Sequence, residues 1–229
     1  MLIKTILNRV EKFKGFVYRN AEFTEHDGRE CLAVGIEPRK GSAAVCSCCH
    51  RPAPCYDRAA EPRWFEFVPL WGIAVFFVYV MRRVDCPRCG IKTEQVPWAD
   101  GKHQCTKTYM QFLASWARDL SWTEVSKRFQ TSWEKVFHAV EYVVEWGLQH
   151  RSLDGITAIG VDEIQWKKNH KYLTLVYQID GGGVRLLWIG KDRTKAAFAG
   201  FFDRLGKDRT ALIQYVCSDM WKPYLKVIA

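Results

Sequence analysis

Two Cys-x-x-Cys pairs impose the strongest constraint on how this chain can fold. The first pair is Cys46 and Cys49, and the second is Cys86 and Cys89. Each pair can present two thiolates from one tight turn, and four thiolates complete a tetrahedral zinc site. Because four protein ligands leave no open coordination position, we predict a structural zinc with no catalytic role. The alternative ligands that the sequence leaves open are Cys48, His50 and Cys55.

The segments around these two knuckles favour β-structure. Residues 64–71 and 73–80 are apolar, β-prone runs, and we predict that they form a hairpin that holds the knuckles together, as in a zinc ribbon. Upstream, residues 16–18 and 31–36 are typical of short strands. Residues 1–100 are therefore predicted to form a small β-rich zinc-binding domain. The remaining cysteines are interpreted as core or incidental residues, namely Cys31, Cys105 and Cys217.

Beyond residue 100 the periodicity becomes helical. Ser121 and Glu124 have the spacing of a capping box, which predicts a helix over residues 122–129. A turn over residues 130–132 separates it from a second predicted helix over residues 133–144. Two helices joined in this way fit a helix-turn-helix, whose second helix enters the major groove of DNA. The predicted nucleic-acid contacts are Gln130, Thr131, Ser132 and Lys135.

The helical region, residues 101–150, also has a plainer interpretation. Glu134 and Glu141 offset Lys135, so that the region is close to neutral, and a helical hairpin that only packs neighbouring domains together is the alternative. In either case, four large aromatic residues are predicted to lie in the core, namely Trp122, Phe129, Trp133 and Phe137.

From residue 154 onward the pattern predicts a mixed α/β domain. Strand-like segments and one helix follow in the order strand, strand, strand, helix, strand, over residues 157–164, 172–179, 184–189, 194–205 and 211–217, with a further helix from Lys222. This order opens a ribonuclease H-like fold, in which the first and fourth strands lie side by side and parallel. We therefore predict an α+β multidomain chain that ends in a partial ribonuclease H-like α/β core over residues 151–229.

Two aspartates accompany the first and fourth of these strands. Asp162 lies in an apolar run, where an ionised carboxylate is costly unless a cation or hydrogen bonds compensate it. Asp219 follows the fourth strand, so adjacent strands would bring the two together, where they could bridge Mg²⁺ or Mn²⁺ for an in-line phosphoryl displacement. Glu163 is expected on the opposite face of its strand as a surface or interface charge. Asp180 is interpreted as a turn residue.

The net charge and the hydropathy of the chain indicate which kind of partner it binds. The formal net charge is +9, and residues 151–229 carry the largest excess, with thirteen Lys and Arg against eight Asp and Glu. A basic balance favours a polyanionic partner, and a merely soluble basic surface is the alternative. Since no apolar stretch approaches the ~20 residues that span a bilayer as a helix, we expect no membrane partner and a cytoplasmic, nucleoid-associated protein.

In this order, the knuckles, the helical pair and the aspartates resemble bacterial insertion-sequence transposases of the ISL3 family. The resemblance implies a zinc-binding N-terminal module, a helix-turn-helix that engages the double-stranded terminal repeats of the element, and a DDE core that cuts and joins DNA. It also implies self-association or association with a full-length transposase. The segments that carry it are Cys46-Ser47-Cys48-Cys49 with Tyr56-Asp57-Arg58, Arg82 to Cys89, Val96-Pro97-Trp98-Ala99, Ile159 to Ile164, His170 to Thr174 and Ser218-Asp219-Met220.

One departure from the family pattern is large. A DDE core needs a third acid, usually a glutamate on a helix well downstream, and no Asp or Glu follows Asp219 in this sequence. We therefore expect a truncated transposase that is inactive alone. The alternative is a non-catalytic zinc and helix-turn-helix DNA-binding protein that competes with or regulates the full-length enzyme. A structural or generic RNA-binding role is a third alternative.

Overall fold

The computed structural model describes residues 3–169, 171–219 and 221–228. It divides the chain into two compact units, Met1–Gln149 and His150–Ala229. The predicted boundary after residue 150 lies within one residue of this division, whereas the predicted boundary after residue 100 falls inside the first unit. His170 and Met220, which belong to two segments of the resemblance, lie outside the described residues, as do residues 1, 2 and 229.

The first unit is built around a four-stranded sheet. After the helix α1 (Ile3–Val10), its strands are β1 (Phe16–His26), β2 (Arg29–Pro38), β6 (Arg63–Leu70) and β7 (Ile73–Tyr79). The order across the sheet is β1-β2-β7-β6, with β2 and β7 parallel and the other pairs antiparallel. The core of this sheet is largely aromatic, because the rings of Phe65, Phe77, Tyr79 and Trp98 are buried together.

The predicted hairpin over residues 64–71 and 73–80 forms, but its predicted place in the knuckles is wrong. Strand β7 lies in the interior of the large sheet, between β2 and β6. The knuckles belong instead to two small sheets built from β3 (Ala44–Val45) with β4 (Pro52–Ala53), and from β5 (Cys55–Arg58), β8 (Arg82–Cys86) and β9 (Gly90–Thr93). The physical reason is that β7 is apolar on both faces, and such a strand is stable only where both faces are covered.

A buried ion pair joins the knuckle strands to the large sheet. The guanidinium of Arg82 on β8 donates to Glu94 through Nη2 at 2.7 Å and Nε at 2.9 Å. Tyr79 on β7 donates its hydroxyl to the same carboxylate at 2.5 Å, and burial together with Glu94 raises the pKa of Tyr79. The next residue on β8, Arg83, faces solvent and pairs with Asp57. Because adjacent residues on a strand point to opposite faces, Arg82 pairs with a buried carboxylate and Arg83 with an exposed one.

Three helices complete the first unit, namely α2 (Lys107–Trp116), α3 (Trp122–Arg128) and α4 (Trp133–His150). The predicted capping box is confirmed, because Ser121 accepts from the backbone N–H of Glu124 and the Glu124 side chain accepts from the backbone N–H of Ser121. Helix α4 is longer than predicted. The core prediction for Trp133 is wrong, because the indole lies in the first turn of α4, stacks on Phe137 and is 45% exposed.

The second unit has a four-stranded sheet in the order β12-β11-β10-β13. The predicted succession of strands and helix is present, with one additional short helix before the last strand. Its elements are β10 (Ala158–Lys167), β11 (Lys171–Gln178), β12 (Arg185–Lys191), α5 (Lys195–Leu205), α6 (Lys207–Thr210), β13 (Tyr215–Ser218) and α7 (Lys222–Ile228). Strands β10 and β13 are parallel neighbours, as predicted. None of the described helices is long and apolar enough to cross a membrane.

Asp180 does more than occupy a turn. Its Oδ2 accepts from the backbone N–H and the hydroxyl of Thr157, at 2.5 and 2.6 Å, and from the backbone N–H of Ala158 at 3.0 Å. Gln178 donates to the other carboxylate oxygen at 2.7 Å. The hydrogen bonds from Thr157 hold the pKa of Asp180 well below its usual range. This carboxylate fixes the start of β10 against the end of β11.

We expect Asp180 to make the second unit sensitive to acid. Its pKa is lower in the folded chain than the value of about 3.9 for a free aspartate, so its stabilisation is present above that value and is lost as pH falls below it. The difference in urea midpoint between the native chain and Asp180→Asn should therefore be larger at pH 7 than at about pH 3. A difference that stays constant with pH would contradict this role.

Candidate functional site

The four predicted zinc ligands converge on one point. The Sγ atoms of Cys46, Cys49, Cys86 and Cys89 all lie within 4.8 Å of one another, and the Sγ atoms of Cys49 and Cys86 are 3.5 Å apart. Zn–S bonds of about 2.3 Å in a tetrahedron place sulfur atoms about 3.8 Å from each other. The arrangement therefore fits a zinc ion held by four thiolates.

The backbone of each knuckle favours the thiolate of its first cysteine. The N–H groups of Cys49 and Cys48 donate to Cys46 Sγ and lower the pKa of that thiol. In the second knuckle, the N–H of Arg88 donates to Cys86 Sγ and lowers the pKa of Cys86 to about 7. The pKa values of Cys49 and Cys89 are raised, that of Cys89 mainly by its hydrogen bond with Cys48. Because metal-binding cysteines must lose their protons, the turns prepare the first thiol of each knuckle for a cation.

The alternative ligands lie outside this cluster. His50 Nδ1 is 2.6 Å from Gln95 Oε1, and Cys55 Sγ contacts the carbonyl of Asp57 at 3.3 Å. Cys48 is exposed next to the cluster. Among the cysteines interpreted as core or incidental, two are buried and one is exposed, namely Cys31, Cys105 and Cys217 in that order.

The turn between α3 and α4 carries the predicted nucleic-acid contacts. Gln130 and Ser132 are exposed, and Thr131 is half-buried. The Ser132 hydroxyl accepts from the backbone N–H of Lys135 at 3.2 Å, which caps the first turn of α4. Gln130 has a φ of +49°, and its carbonyl accepts from Arg29 Nη1 at 2.8 Å. The turn is thus held by β2 as well as by its own helices.

Lys135 has an ion-pair partner that the sequence did not suggest. Its Nζ lies 2.6 Å from Glu66 Oε2, and Arg29 Nη2 lies 2.8 Å from Glu66 Oε1. The Glu66 side chain is only 4% exposed, so one buried carboxylate is shared by two cations. The available signal was a lone acid within the apolar run Trp64 to Val68, the same signal that singled out Asp162.

Asp162 lies on β10, and Asp219 directly follows β13, the parallel neighbour of β10. The last pair in the register of the two strands is Val161 with Ser218, so each aspartate is one residue beyond that pair. Asp162 is exposed, and its Oδ1 accepts from the backbone N–H of Glu163 at 2.7 Å. Neighbouring exposed carboxylates have the donor chemistry that Mg²⁺ and Mn²⁺ prefer. Within the described residues, the only group of three or more potential ligands is the cysteine cluster.

Arg193 connects Asp219 to Glu163. Its Nε lies 2.6 Å from Glu163 Oε2, and its Nη2 lies 3.4 Å from Asp219 Oδ2. The guanidinium also lies over the ring of Trp221, 4.5 Å from the centroid. Sequence reasoning missed Arg193, because nothing local marks a residue just after β12 as the partner of acids on β10 and after β13.

The expectation that Glu163 is a surface or interface charge is wrong. Strand alternation places it on the face opposite Asp162, as predicted, but helices α5 and α7 cover that face and leave the side chain 11% exposed. Burial, with a contribution from Glu163, raises the pKa of the nearby Tyr224 hydroxyl to about 12. Arg193 thus supplies the charge that makes burial of Glu163 tolerable.

Comparisons with known proteins agree on one family. The family model for ISL3-type DDE transposases, described as a transposase, matches residues 159–229, which include Asp162 and Asp219. The transposases for insertion sequence element IS1557 from two strains of Mycobacterium tuberculosis are each 33% identical over 213 residues, which is 90% of this chain and 47% of the relative. The transposase for IS1001 from Bordetella parapertussis is 24% identical over 226 residues, 98% of this chain and 54% of the relative.

No solved structure matches this chain. The chain spans about half the length of the curated relatives it matches. The similarity nevertheless covers both units, and the family model covers most of the second unit. On these grounds, residues 159–229 belong to the ISL3-type family of DDE transposases, and the chain as a whole is similar to insertion-sequence transposases.

Proposed function

We propose that this chain binds the end DNA of an insertion sequence and carries two acids of a metal-dependent core that cuts and joins DNA. The observation that supports the proposal is the parallel register of β10 and β13, whose last pair immediately precedes Asp162 and Asp219 within the segment matched by the family. Such a core has the ribonuclease H-like topology that the strand order in the second unit fits.

The first unit would supply DNA binding. In this proposal, a zinc ion held by the four cysteines stabilises the knuckles, and α3 and α4 act as a helix-turn-helix. Gln130, Thr131 and Ser132 lie at the start of the helix that would enter the major groove. Lys135 would contact phosphate only by exchanging part of its pairing with Glu66, so we assign it a smaller role than the three turn residues.

The second unit would supply the chemistry. Bound Mg²⁺ or Mn²⁺ would activate the attacking oxygen and stabilise the leaving oxygen in an in-line displacement at phosphorus. Asp162 and Asp219 would hold this metal. To bind the metal, Asp219 would exchange its pairing with Arg193, which approaches Oδ2 from the side of Glu163, while the backbone N–H of Trp221 donates to Oδ1 at 3.4 Å.

Binding to end DNA is the first test. Fluorescence anisotropy with a duplex that carries the terminal repeat of the chain's own element should show tighter binding than a scrambled duplex of equal length. The affinity for both should fall as salt rises, because phosphate neutralisation releases counterions. Equal affinity for the two duplexes at every salt concentration would contradict the proposed recognition of element ends.

The metal site is tested separately. We expect Asp162→Asn and Asp219→Asn each to weaken Mn²⁺ binding by about tenfold or more, because each removes a carboxylate ligand. Paramagnetic resonance of free Mn²⁺ measures this directly and does not depend on cleavage. Asp208→Asn removes the same charge from an exposed position on α6 and should leave Mn²⁺ binding unchanged. Equal effects of all three variants would show that Mn²⁺ binds through nonspecific surface charge and not at a site formed by Asp162 and Asp219.

A second candidate function is a non-catalytic DNA-binding protein that competes with or regulates a full-length transposase. The observation that favours it is that the cysteine cluster and the helical pair lie together in the first unit, Met1–Gln149. Metal-dependent cleavage or joining of terminal-repeat DNA that is lost in Asp162→Asn is expected only of the first candidate. Association of the chain with itself or with a full-length transposase is compatible with both.

A further inference from the structure

Two hairpins of the large sheet end in the same kind of turn but carry different residues. Asp27 and Gly28 join β1 to β2, with φ values of +53° and +73°. Trp71 and Gly72 join β6 to β7, with φ values of +51° and +83°. A two-residue turn with both φ values positive takes Asn-Gly or Asp-Gly, because other side chains are strained there. The first hairpin follows this rule, and Trp71 breaks it.

Trp71 is also unfavourably solvated. Its side chain is 90% exposed, more than any other large hydrophobic residue in the part of the chain that the structure describes. The indole therefore gains no burial in the folded chain that would offset its backbone strain. Residues that break a local rule without a gain in folding are concentrated at functional sites, where a partner supplies the missing contact.

The Trp71 turn lies beside the turn of the helical pair. Strands β2 and β7 are parallel with Cys31 opposite Ala74, so the Trp71 turn lies at the end of the sheet where β2 begins. At that end Arg29, in the first position of β2, donates to the carbonyl of Gln130. Gly72 and Gln130 also line the same small cavity. An indole and the predicted DNA-reading turn therefore share one end of the first unit.

The charges at this end are divided between the two sides of the Trp71 turn. The turn itself is uncharged from Pro69 to Ala74, and the end of α3 next to Gln130 presents the exposed cations Lys127 and Arg128. The other hairpin tip is acidic, with Glu25, Asp27 and Glu30. That tip joins β1 to β2 and lies at the same end of the sheet as Trp71, so a polyanion at Trp71 would be bound from the side of Lys127 and Arg128.

We propose that Trp71 is a DNA contact that inserts its indole against a base step of the insertion-sequence end, beside the segment bound by the α3–α4 turn. This inference rests on the proposed binding of end DNA. Apolar side chains placed between base steps unstack and bend a duplex, and aromatic rings stack on bases of any sequence. The contact would strengthen DNA binding and would unstack one base step next to the segment bound by the α3–α4 turn.

The test uses the full chain and the variant Trp71→Asn. This change creates Asn-Gly, the preferred sequence for the turn, so the thermal midpoint of unfolding should be retained or raised while the indole is removed. We expect a loss of affinity for the end duplex of about tenfold or more. Scanning the duplex with 2-aminopurine should reveal one position whose fluorescence rises with the native chain and not with Trp71→Asn. Phe23→Ser, which removes an exposed ring from β1, should bind as the native chain does.

The outcomes separate this inference from the proposed function. If the native chain does not prefer the end duplex over a scrambled one, the proposed binding of end DNA and the role of Trp71 are both overturned. If the native chain prefers the end duplex and Trp71→Asn binds it equally well, with the same fluorescence profile, only the role of Trp71 is overturned. A loss of self-association in light scattering at unchanged DNA affinity would likewise overturn it, because the indole would then serve a contact between copies of the chain.

Discussion

Substitution of Cys49 by serine is expected to abolish zinc binding and unfold both knuckles. The four Sγ atoms converge in an arrangement that fits zinc, and the surrounding small sheets have little apolar core of their own. Small domains of this kind depend on the metal for their folding. Elemental analysis should find about one zinc per native chain and less than about a tenth of that in Cys49→Ser. Hydrogen exchange should lose protection over residues 44–58 and 82–94.

Cys48 provides the matched control, since it is the next residue in the same knuckle. Its thiol is exposed and outside the four-cysteine cluster, so Cys48→Ser should keep full zinc content and the native exchange pattern. A chain purified without zinc that shows native protection over the knuckles would contradict the structural role. Loss of zinc in Cys48→Ser with retention in Cys49→Ser would contradict the ligand assignment.

Substitution of Glu94 by glutamine is expected to lower the free energy of unfolding of the first unit by about 3 kcal/mol or more. The Arg82 side chain is 8% exposed and the Glu94 side chain is fully buried, so loss of the carboxylate charge leaves the guanidinium buried without compensation. The hydroxyl of Tyr79 loses its charged acceptor at the same time. Urea unfolding followed by far-ultraviolet circular dichroism measures the change.

The control for this prediction is the adjacent arginine. Arg83 pairs with Asp57 at the surface, where water and salt screen the interaction, so Asp57→Asn should unfold at nearly the same urea concentration as the native chain. Added salt should not rescue Glu94→Gln, because its defect is buried. Similar destabilisation by Glu94→Gln and Asp57→Asn would show that burial of an ion pair does not change how much it contributes to the free energy of unfolding.

The features that could be predicted from the sequence are those set by local spacing. The knuckles depend on a two-residue separation within each Cys-x-x-Cys pair, and the capping box depends on Ser121 and Glu124 lying one helical turn apart. The strand order of the second unit was also predictable, because each strand is an apolar run bounded by turn residues. The parallel neighbours β10 and β13 then follow from the handedness of the crossover.

The features that could not be predicted depend on which distant segments meet. The arms of the β6–β7 hairpin were recognised, but their place in the large sheet depends on pairing with β2, more than thirty residues upstream. The partners of Lys135 and Arg193 are set in the same way by long-range packing. Periodicity showed which residues are apolar, but it did not distinguish the face of α4 that buries Val136 and Ala139 from the positions where Trp133 and Trp146 are exposed.

In the proposed DNA complex, the Glu66 ion pairs fix the separation between two contacts of the first unit. Arg29 holds the α3–α4 turn through Gln130, and Lys135 holds α4, so the helical pair is clamped to the sheet that carries Trp71. The α3–α4 turn and Trp71 would then contact DNA at a fixed distance from each other. Insertion of a single base pair between the two contacted positions rotates one of them by about 34° around the helix axis. A chain without Glu66 should tolerate such an insertion better than the native chain, at the expense of weaker binding to the uninterrupted site.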